Sequence, residues 1–135
     1  MSDVVIFDTS VLVDEARTGR HRKRIEFVEG LVRTSSVVLA ELLRGVTLPA
    51  ERKFLRKLTK NHPILTPTEE NWLESGEILA KIRADQGFEP HKLRALHFDV
   101  LIALTARSYG ARLVTTNRAD FQLINRYRQI KLELW

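Results

Sequence analysis

The sequence predicts an α/β fold in which helices sandwich a mostly parallel central sheet. Three observations point there. Short apolar runs rich in β-branched residues (Val4-Val5-Ile6-Phe7, Leu31 to Thr34, Ile64-Leu65, Leu113-Val114-Thr115) alternate with longer segments of helical periodicity. The opening run is unbroken rather than alternating, the pattern of a strand covered on both faces. Two runs end in polar residues, Asp8 and Thr115-Thr116-Asn117, at the strand ends where such sheets bind ligands.

Each element has a local reason. Asp8-Thr9-Ser10 can cap a helix carrying Val11, Leu12 and Ala16. A second helix is expected from about His21 to Glu29, closed by Gly30. After the strand at Leu31 to Thr34, Ser35 or Ser36 caps a helix from Val37 to about Arg44, stopped by Gly45. Pro49 to about Lys60 is amphipathic: Phe54, Leu55 and Leu58 share one side and basic residues surround the other. Thr66-Pro67-Thr68-Glu69 has capping-box spacing with proline at the first helical position. The helix it opens carries Trp72, Leu73, Gly76, Leu79 and Ala80 at helical spacing, and Gly87 to Pro90 breaks it. A further helix is expected over Phe98 to Tyr109, ended by Gly110, and an extended segment over Ile130 to Leu134.

Composition narrows the classes. The 135 residues are 44% hydrophobic and 29% charged, which suits one globular domain, 1–135, and argues against global disorder. No apolar run approaches the roughly 18 residues of a membrane helix. Met1-Ser2-Asp3 leads straight into a strand-like run, without a basic region or cleavage site, so a soluble, cytoplasmic protein is expected. The chain has no cysteine, which excludes disulfides, thiolate metal sites and a cysteine nucleophile. Lys and Arg number 22 against 17 Asp and Glu, a net charge of +5 that suits a polyanionic partner.

Four carboxylates sit badly for stability. Asp8 follows the buried strand; its ordinary reading is a helix cap. Glu41 is flanked by Leu39, Ala40, Leu42 and Leu43, where an unpaired carboxylate costs several kcal/mol unless it finds water, a partner or a cation. Asp99 stands at the head of the most apolar helix, where its ordinary reading is a favourable contact with the helix dipole. Asp120 follows a strand and precedes Phe121, and reads alone as a turn or cap. Together the four point to divalent-metal binding, because clustered carboxylates repel unless a cation neutralises them and Mg²⁺ and Mn²⁺ prefer hard oxygen ligands. Such a site can activate water and stabilise charge on a phosphoryl group.

The surrounding motifs resemble a known family. Phe7-Asp8-Thr9-Ser10-Val11-Leu12 resembles the opening aspartate motif of PIN-domain nucleases. Glu41 in Ala40-Glu41-Leu42-Leu43-Arg44-Gly45 resembles the family's helix glutamate, and Asp99 in Phe98-Asp99-Val100-Leu101-Ile102-Ala103 its third acid. Thr115-Thr116-Asn117-Arg118-Ala119-Asp120-Phe121 resembles its Thr-x-Asn-x-x-Asp-Phe segment. Successive acids stand 33, 58 and 21 positions apart, in the family's order. The resemblance implies a PIN-like α/β/α sandwich with a mostly parallel sheet. At this length the chain is most similar to the toxin of a VapBC-type toxin–antitoxin pair. That similarity implies a Mg²⁺- or Mn²⁺-dependent endoribonuclease acting on structured RNA, homodimeric and silenced by a small cognate antitoxin. It also implies that Asp8, Glu41, Asp99 and Asp120 hold the metal, and that Thr9, Thr115 and Asn117 order the site or its waters. Some members carry a further acid where Asn117 stands, which leaves one metal or two open; Ser10 stands where asparagine is frequent but keeps a hydrogen-bonding side chain.

Rival readings fit less well. A phosphatase with an aspartyl nucleophile needs a second aspartate two residues on, where Ser10 stands and cannot transfer a proton at neutral pH. A phosphate-accepting receiver domain would need a second acid beside the first and a lysine after a late strand. The remaining rival is a catalytically inactive PIN-fold RNA-binding or interaction protein, against which the four intact acids count. Two basic blocks, Arg17, Arg20, Arg22, Lys23, Arg24 and Arg52, Lys53, Arg56, Lys57, Lys60, contain no compensating acid. Arg20, Arg22, Lys23, Arg52, Arg56 and Lys60 are the candidates for phosphate-backbone contact. The four histidines lack metal-ligand spacing, and His97 is expected to be structural or to touch the site at second hand. Trp72 and Trp135 are candidates for buried or interface positions. Asp8→Asn, Asp99→Asn and Asp120→Asn are expected to abolish cleavage, whereas Asp14→Asn, outside the acid cluster, is expected to leave it unchanged.

Overall fold

Strand β1 (Val4–Phe7) lies at the centre of a five-stranded sheet of order β3-β2-β1-β4-β5, with β2 Leu31–Ser35, β3 Ile64–Leu65, β4 Arg112–Thr115 and β5 Lys131–Leu134. The computed structural model describes residues 3–135; the lead-in at Met1 and Ser2 lies outside them. Every pairing is parallel, with Val5 opposite Val32 on one side and Arg112 on the other. Parallel neighbours need long crossovers. These are α1 (Thr9–Thr18), α2 (Arg22–Glu26), α3 (Ser36–Gly45), α4 (Pro49–Asn61), α5 (Glu69–Gln86), α6 (Pro90–Ser108) and α7 (Arg118–Tyr127), which flank the sheet. The chain steps outward from β1 to β2 and β3, then returns to β4 on the other side of β1 and continues to β5. Connections therefore diverge between β1 and β4, and the crevice beyond their carboxyl ends is the natural ligand site of such a sheet.

The α/β class, the strand positions and four of the helices follow the sequence reading, while other features depart from it. The second helix covers only Arg22–Glu26, not His21 to Glu29; none of its side chains is buried, so little packing extends it. Gly30 does not close it. That glycine, at φ 123°, passes so close to the first strand that a Cβ would stand 2.5 Å from the Asp3 carbonyl oxygen. The cap of α5 is Thr68, paired with Asn71, two residues past Thr66. The face α5 buries is Asn71, Ser75, Ile78 and Ile82, whereas Trp72 and Leu73 point outward. Asn71 bonds Ser108 and Ser75 bonds His97, so these polar pairs join the buried Ile78 and Ile82 in seating α5, in place of Trp72 and Leu73.

Two further departures move the acids. Pro90 does not end a segment but begins one: it is the first residue of α6, which runs from Pro90 to Ser108. Asp99 is thus mid-helix, and the dipole at the helix start cannot account for it. Asp120 belongs to a helix that periodicity did not suggest: Asn117 caps α7 and Asp120 sits in its first turn, with Phe121, Leu123 and Ile124 buried beneath.

The core is one cluster in which Val5, Ile6, Val100, Ile102, Leu113, Phe121 and Ile124 are fully buried. Phe121 is its largest such side chain. Phe121→Ala should destabilise the fold by about 3–5 kcal/mol through the cavity it leaves, read as a lowered denaturant midpoint at unchanged slope.

Candidate metal centre

Asp8 is the hub. It caps α1 directly after β1 and is only 2% exposed. Its Oδ2 accepts hydrogen bonds from Ser10 Oγ at 2.7 Å, from Thr115 Oγ1 at 2.8 Å and from Ser10 N at 3.4 Å. Its Oδ1 is buried with no hydrogen-bond partner among the described residues. The Thr115 bond crosses the switch point, joining the carboxyl end of β1 to that of β4. Thr115 Oγ1 and Ser10 Oγ also accept from Asn117 N and Thr116 N, which fixes the turn leading to Asp120.

The other three acids come from three different helices. Glu41, half-buried on α3, accepts from Thr9 Oγ1 at 2.8 Å. Burial pushes its carboxyl above the usual range; the Thr9 bond opposes this and the charge of Asp8 adds to it. Asp120 on α7 is held through both oxygens, Oδ1 by Lys92 Nζ at 2.8 Å and Oδ2 by Asn117 Nδ2 at 3.1 Å. Asp99 on α6 is pushed up from 3.8 to about 8, first by burial and then by the negative charges of Asp8, Glu41 and Asp120, with Lys92 opposing. Asp99 therefore feels each of the other three predicted acids, and Glu41 feels Asp8; Thr9, Thr115 and Asn117 each bond one of the acids or its supporting turn. Among the described residues no three His, Asp or Glu side chains already stand in the geometry of a formed ligand set. Glu41 is bonded instead to Thr9 and Asp120 to Lys92. The donor chemistry nonetheless fits a hard divalent cation: a bare buried carboxylate oxygen, a second carboxyl that burial and repulsion keep from ionising, and a third nearby.

Two of these groups escaped the sequence reading. Lys92 stands seven residues before Asp99, two turns along the same helix face, and the spacing became meaningful only once α6 was known to start at Pro90. Ser10, read as a minor departure, is a direct donor to Asp8.

The remaining candidates lie elsewhere. Arg20, Arg22, Lys23, Arg52, Arg56 and Lys60 are all exposed. The first block is not without a compensating acid, because Asp14 binds both Arg20, at 2.5 Å, and the buried His21, at 2.6 Å. Asp14 is thus a structural partner of Arg20 and His21. His97 bonds Ser75 and meets Trp72 edge-on, between α5 and α6. Trp135 packs on Phe7 and His21 with Arg24 over its ring. A groove of about 420 Å³ is lined by Arg20, His21, Arg24, Thr116 and Trp135, and its Thr116 is tied through Ser10 to Asp8.

Comparison with known proteins decides the family. The PIN domain profile matches residues 5–127. The chain belongs to the PIN-domain family. Solved structures similar to this PIN domain include a chain of VapBC2 from Rickettsia felis bound to a DNA fragment from their promoter, with 22% identity and a TM-score of 0.75 over 98% of each chain. DNA-bound VapBC from Salmonella typhimurium matches at 23% identity and TM-score 0.68, over 100% of this chain and 99% of that one. A toxin–antitoxin complex from Klebsiella pneumoniae matches at 20% identity and TM-score 0.60, over 87% and 89%. At these identities the likeness is one of fold. No curated protein matches the chain.

The raised Asp99 carboxyl gives this PIN domain a testable pH signature. Asp99 holds its proton up to about pH 8 when folded and releases it near 3.8 when unfolded. Its contribution to stability is therefore full below the unfolded value and is lost as pH rises through the folded one. In EDTA the melting temperature should fall between about pH 5 and pH 8.5, and Asp99→Asn should flatten that fall. Parallel pH profiles for the two proteins would contradict the assignment.

Proposed function

We propose that this PIN domain, over residues 1–135, is a Mg²⁺- or Mn²⁺-dependent endoribonuclease, the toxin of a type II toxin–antitoxin pair acting in the cytoplasm. The observation that carries the reading is the convergence of Asp8, Glu41, Asp99 and Asp120 at the β1–β4 switch point, with Asp8 Oδ1 buried and unpartnered. Asp8, Glu41, Asp99 and Asp120 would hold the cation; when bound it supplies Lewis acidity and lowers the pKa of a water. Ser10 and Thr115 keep Oδ2 of Asp8 occupied, so that only Oδ1 is offered. Asn117 holds Asp120, and Thr9 holds Glu41. Cleavage by water then leaves a 5′-phosphate and a 3′-hydroxyl, with no part for a histidine or for the ribose 2′-hydroxyl.

Partners follow from the surface. RNA approaches along the basic side of the groove lined by Arg20, Arg24 and Trp135, next to Thr116, by backbone contact rather than base reading. A small antitoxin binds tightly, places an arginine or lysine against the acids and packs apolar residues in a cavity of about 280 Å³ lined in part by Phe7, Leu12, Ile25, Phe54 and Leu58. Trp72 and Leu73, 52% and 67% exposed, form the face for a homodimer. Support for the toxin reading comes from the fold shared with VapBC chains, and among the described residues no helix is long and apolar enough to cross a membrane.

The deciding experiment is cleavage of a sensitive RNA with and without EDTA, with end-group analysis. Asp8→Asn can keep its oxygen toward Ser10 and Thr115 and turn its amide toward the other acids, so the fold should survive while cleavage falls by at least about 100-fold. Activity in EDTA, a 2′,3′-cyclic phosphate product, or an active Asp8→Asn protein would refute the mechanism.

RNA affinity should also fall steeply with salt. Replacing Arg20, Arg22 and Lys23 by alanine should reduce the slope of log affinity against log salt by up to about three units, without changing metal affinity. The same test on Arg52, Arg56 and Lys60 decides whether the second block takes part; unchanged slopes in both triple variants would make both blocks ordinary solvated surface.

A further inference from the structure

The acids of the cluster are not equally available. Asp120 spends both oxygens within the protein, on Lys92 and Asn117, while Asp8 keeps Oδ1 buried and bare. Lys92 reaches Asp120 from the first turn of α6 across to the first turn of α7, and its ammonium also lies 5.9 Å from the ring centroid of Phe88. Its side chain is 39% exposed and that of Asp120 22%, so the pair is partly shielded without being sealed. A second cation, Arg44, acts on Glu41 and lies over the Phe98 ring 5.4 Å away. Of the positive charges acting on the site, Lys92 is the one bonded directly to an acid, Asp120, and its field also reaches Asp99.

We propose that Lys92 is a resident cation of this site: it occupies Asp120 where a second divalent ion would otherwise sit, so that the cluster takes one ion, on Asp8, Glu41 and Asp99. This rests on the metal-dependent reading above and goes beyond it by fixing the ion count and removing Asp120 from the direct ligands. An ammonium at 2.8 Å satisfies the carboxylate by a charge-assisted hydrogen bond. A second ion at Asp120 would have to displace it and would then stand beside an uncompensated lysine charge, which opposes binding. Lys92 also ties α6 to α7, so the lysine and not the ion sets the distance between the helices that carry Asp99 and Asp120. In these terms Lys92 is a positioning residue.

The test is Mn²⁺ binding to the full chain by isothermal titration calorimetry, with melting temperature in EDTA measured in parallel. Wild type should bind one Mn²⁺ per chain. Lys92→Met keeps the length and apolar body of the side chain but removes the charge; it should bind a second Mn²⁺, or bind the first roughly tenfold more tightly, and should melt lower in EDTA. Lys92→Arg keeps the charge and should behave as wild type in ion number. If Lys92→Met folds and binds Mn²⁺ with unchanged number and affinity, the proposal fails while the metal reading stands. Two ions bound by wild type would also overturn it. If wild type binds none, the metal reading falls and takes the proposal with it. A Lys92→Met chain that does not fold leaves the decision to wild-type stoichiometry and to Lys92→Gln, judged by the same criteria.

Discussion

The hydrogen bond from Thr115 to Asp8 joins the carboxyl ends of the two strands at which the chain reverses its direction of winding. Everything at the site is arranged around the constraint it creates, a carboxylate 2% exposed and held by hydroxyls on one oxygen only. Burying such a group is costly unless its charge is compensated. Bringing three more acids to the same crevice compounds the cost. The protein meets each of the four differently: Asp8 with the Ser10 and Thr115 hydroxyls, Glu41 with Thr9 and the field of Arg44, Asp120 with Lys92 and Asn117, and Asp99 with a retained proton.

This division gives the site a direction. The compensations at Asp8 and Asp120 come from residues fixed at the starts of helices or, for Thr115, at the end of β4, whereas Asp99 sits in the middle of α6 among fully buried neighbours such as Val100 and Ile102. Among the described residues no hydroxyl bonds its carboxyl, so it is the member most sensitive to what else enters the crevice. The proton kept on Asp99 relieves repulsion from the other three acids, and clustered carboxylates are the donor type that hard divalent cations prefer. The family membership and the shared fold are compatible with that chemistry, but the arrangement of charges is a property of these particular residues.

Much of the site was legible because its residues contradict their surroundings. Glu41 among leucines and Asp99 before an apolar run stand out against helical periodicity, and Asp8 and Thr115 stand where strands end. What could not be read was anything depending on helix phase or helix start. Proline at Pro90 is equally good as a breaker or as a first helical residue. Only packing against α5 and α7 decides, and with it whether Asp99 lies at a helix head and whether Lys92 shares its face. The α5 stripe failed for a related reason: Trp72 and Leu73 are apolar by type, yet Asn71 and Ser75 are buried in their place alongside Ile78 and Ile82, because Ser108 and His97 on α6 supply their hydrogen bonds.

By itself the sequence determined the strands, the caps of α1 and α3 and the order of the acids, since these rest on interactions within a few neighbouring residues: β-branched runs, hydroxyl and carboxylate caps, apolar spacing. Tertiary structure alone decided which partners the acids have. Thr115 meets Asp8 across 107 positions, Thr9 meets Glu41 across 32 and Lys92 meets Asp120 across 28. Contacts at such separations leave no local trace in the chain, because each residue satisfies its own helix or strand equally well without them; they exist only once the parallel sheet has brought the carboxyl ends of β1 and β4 side by side.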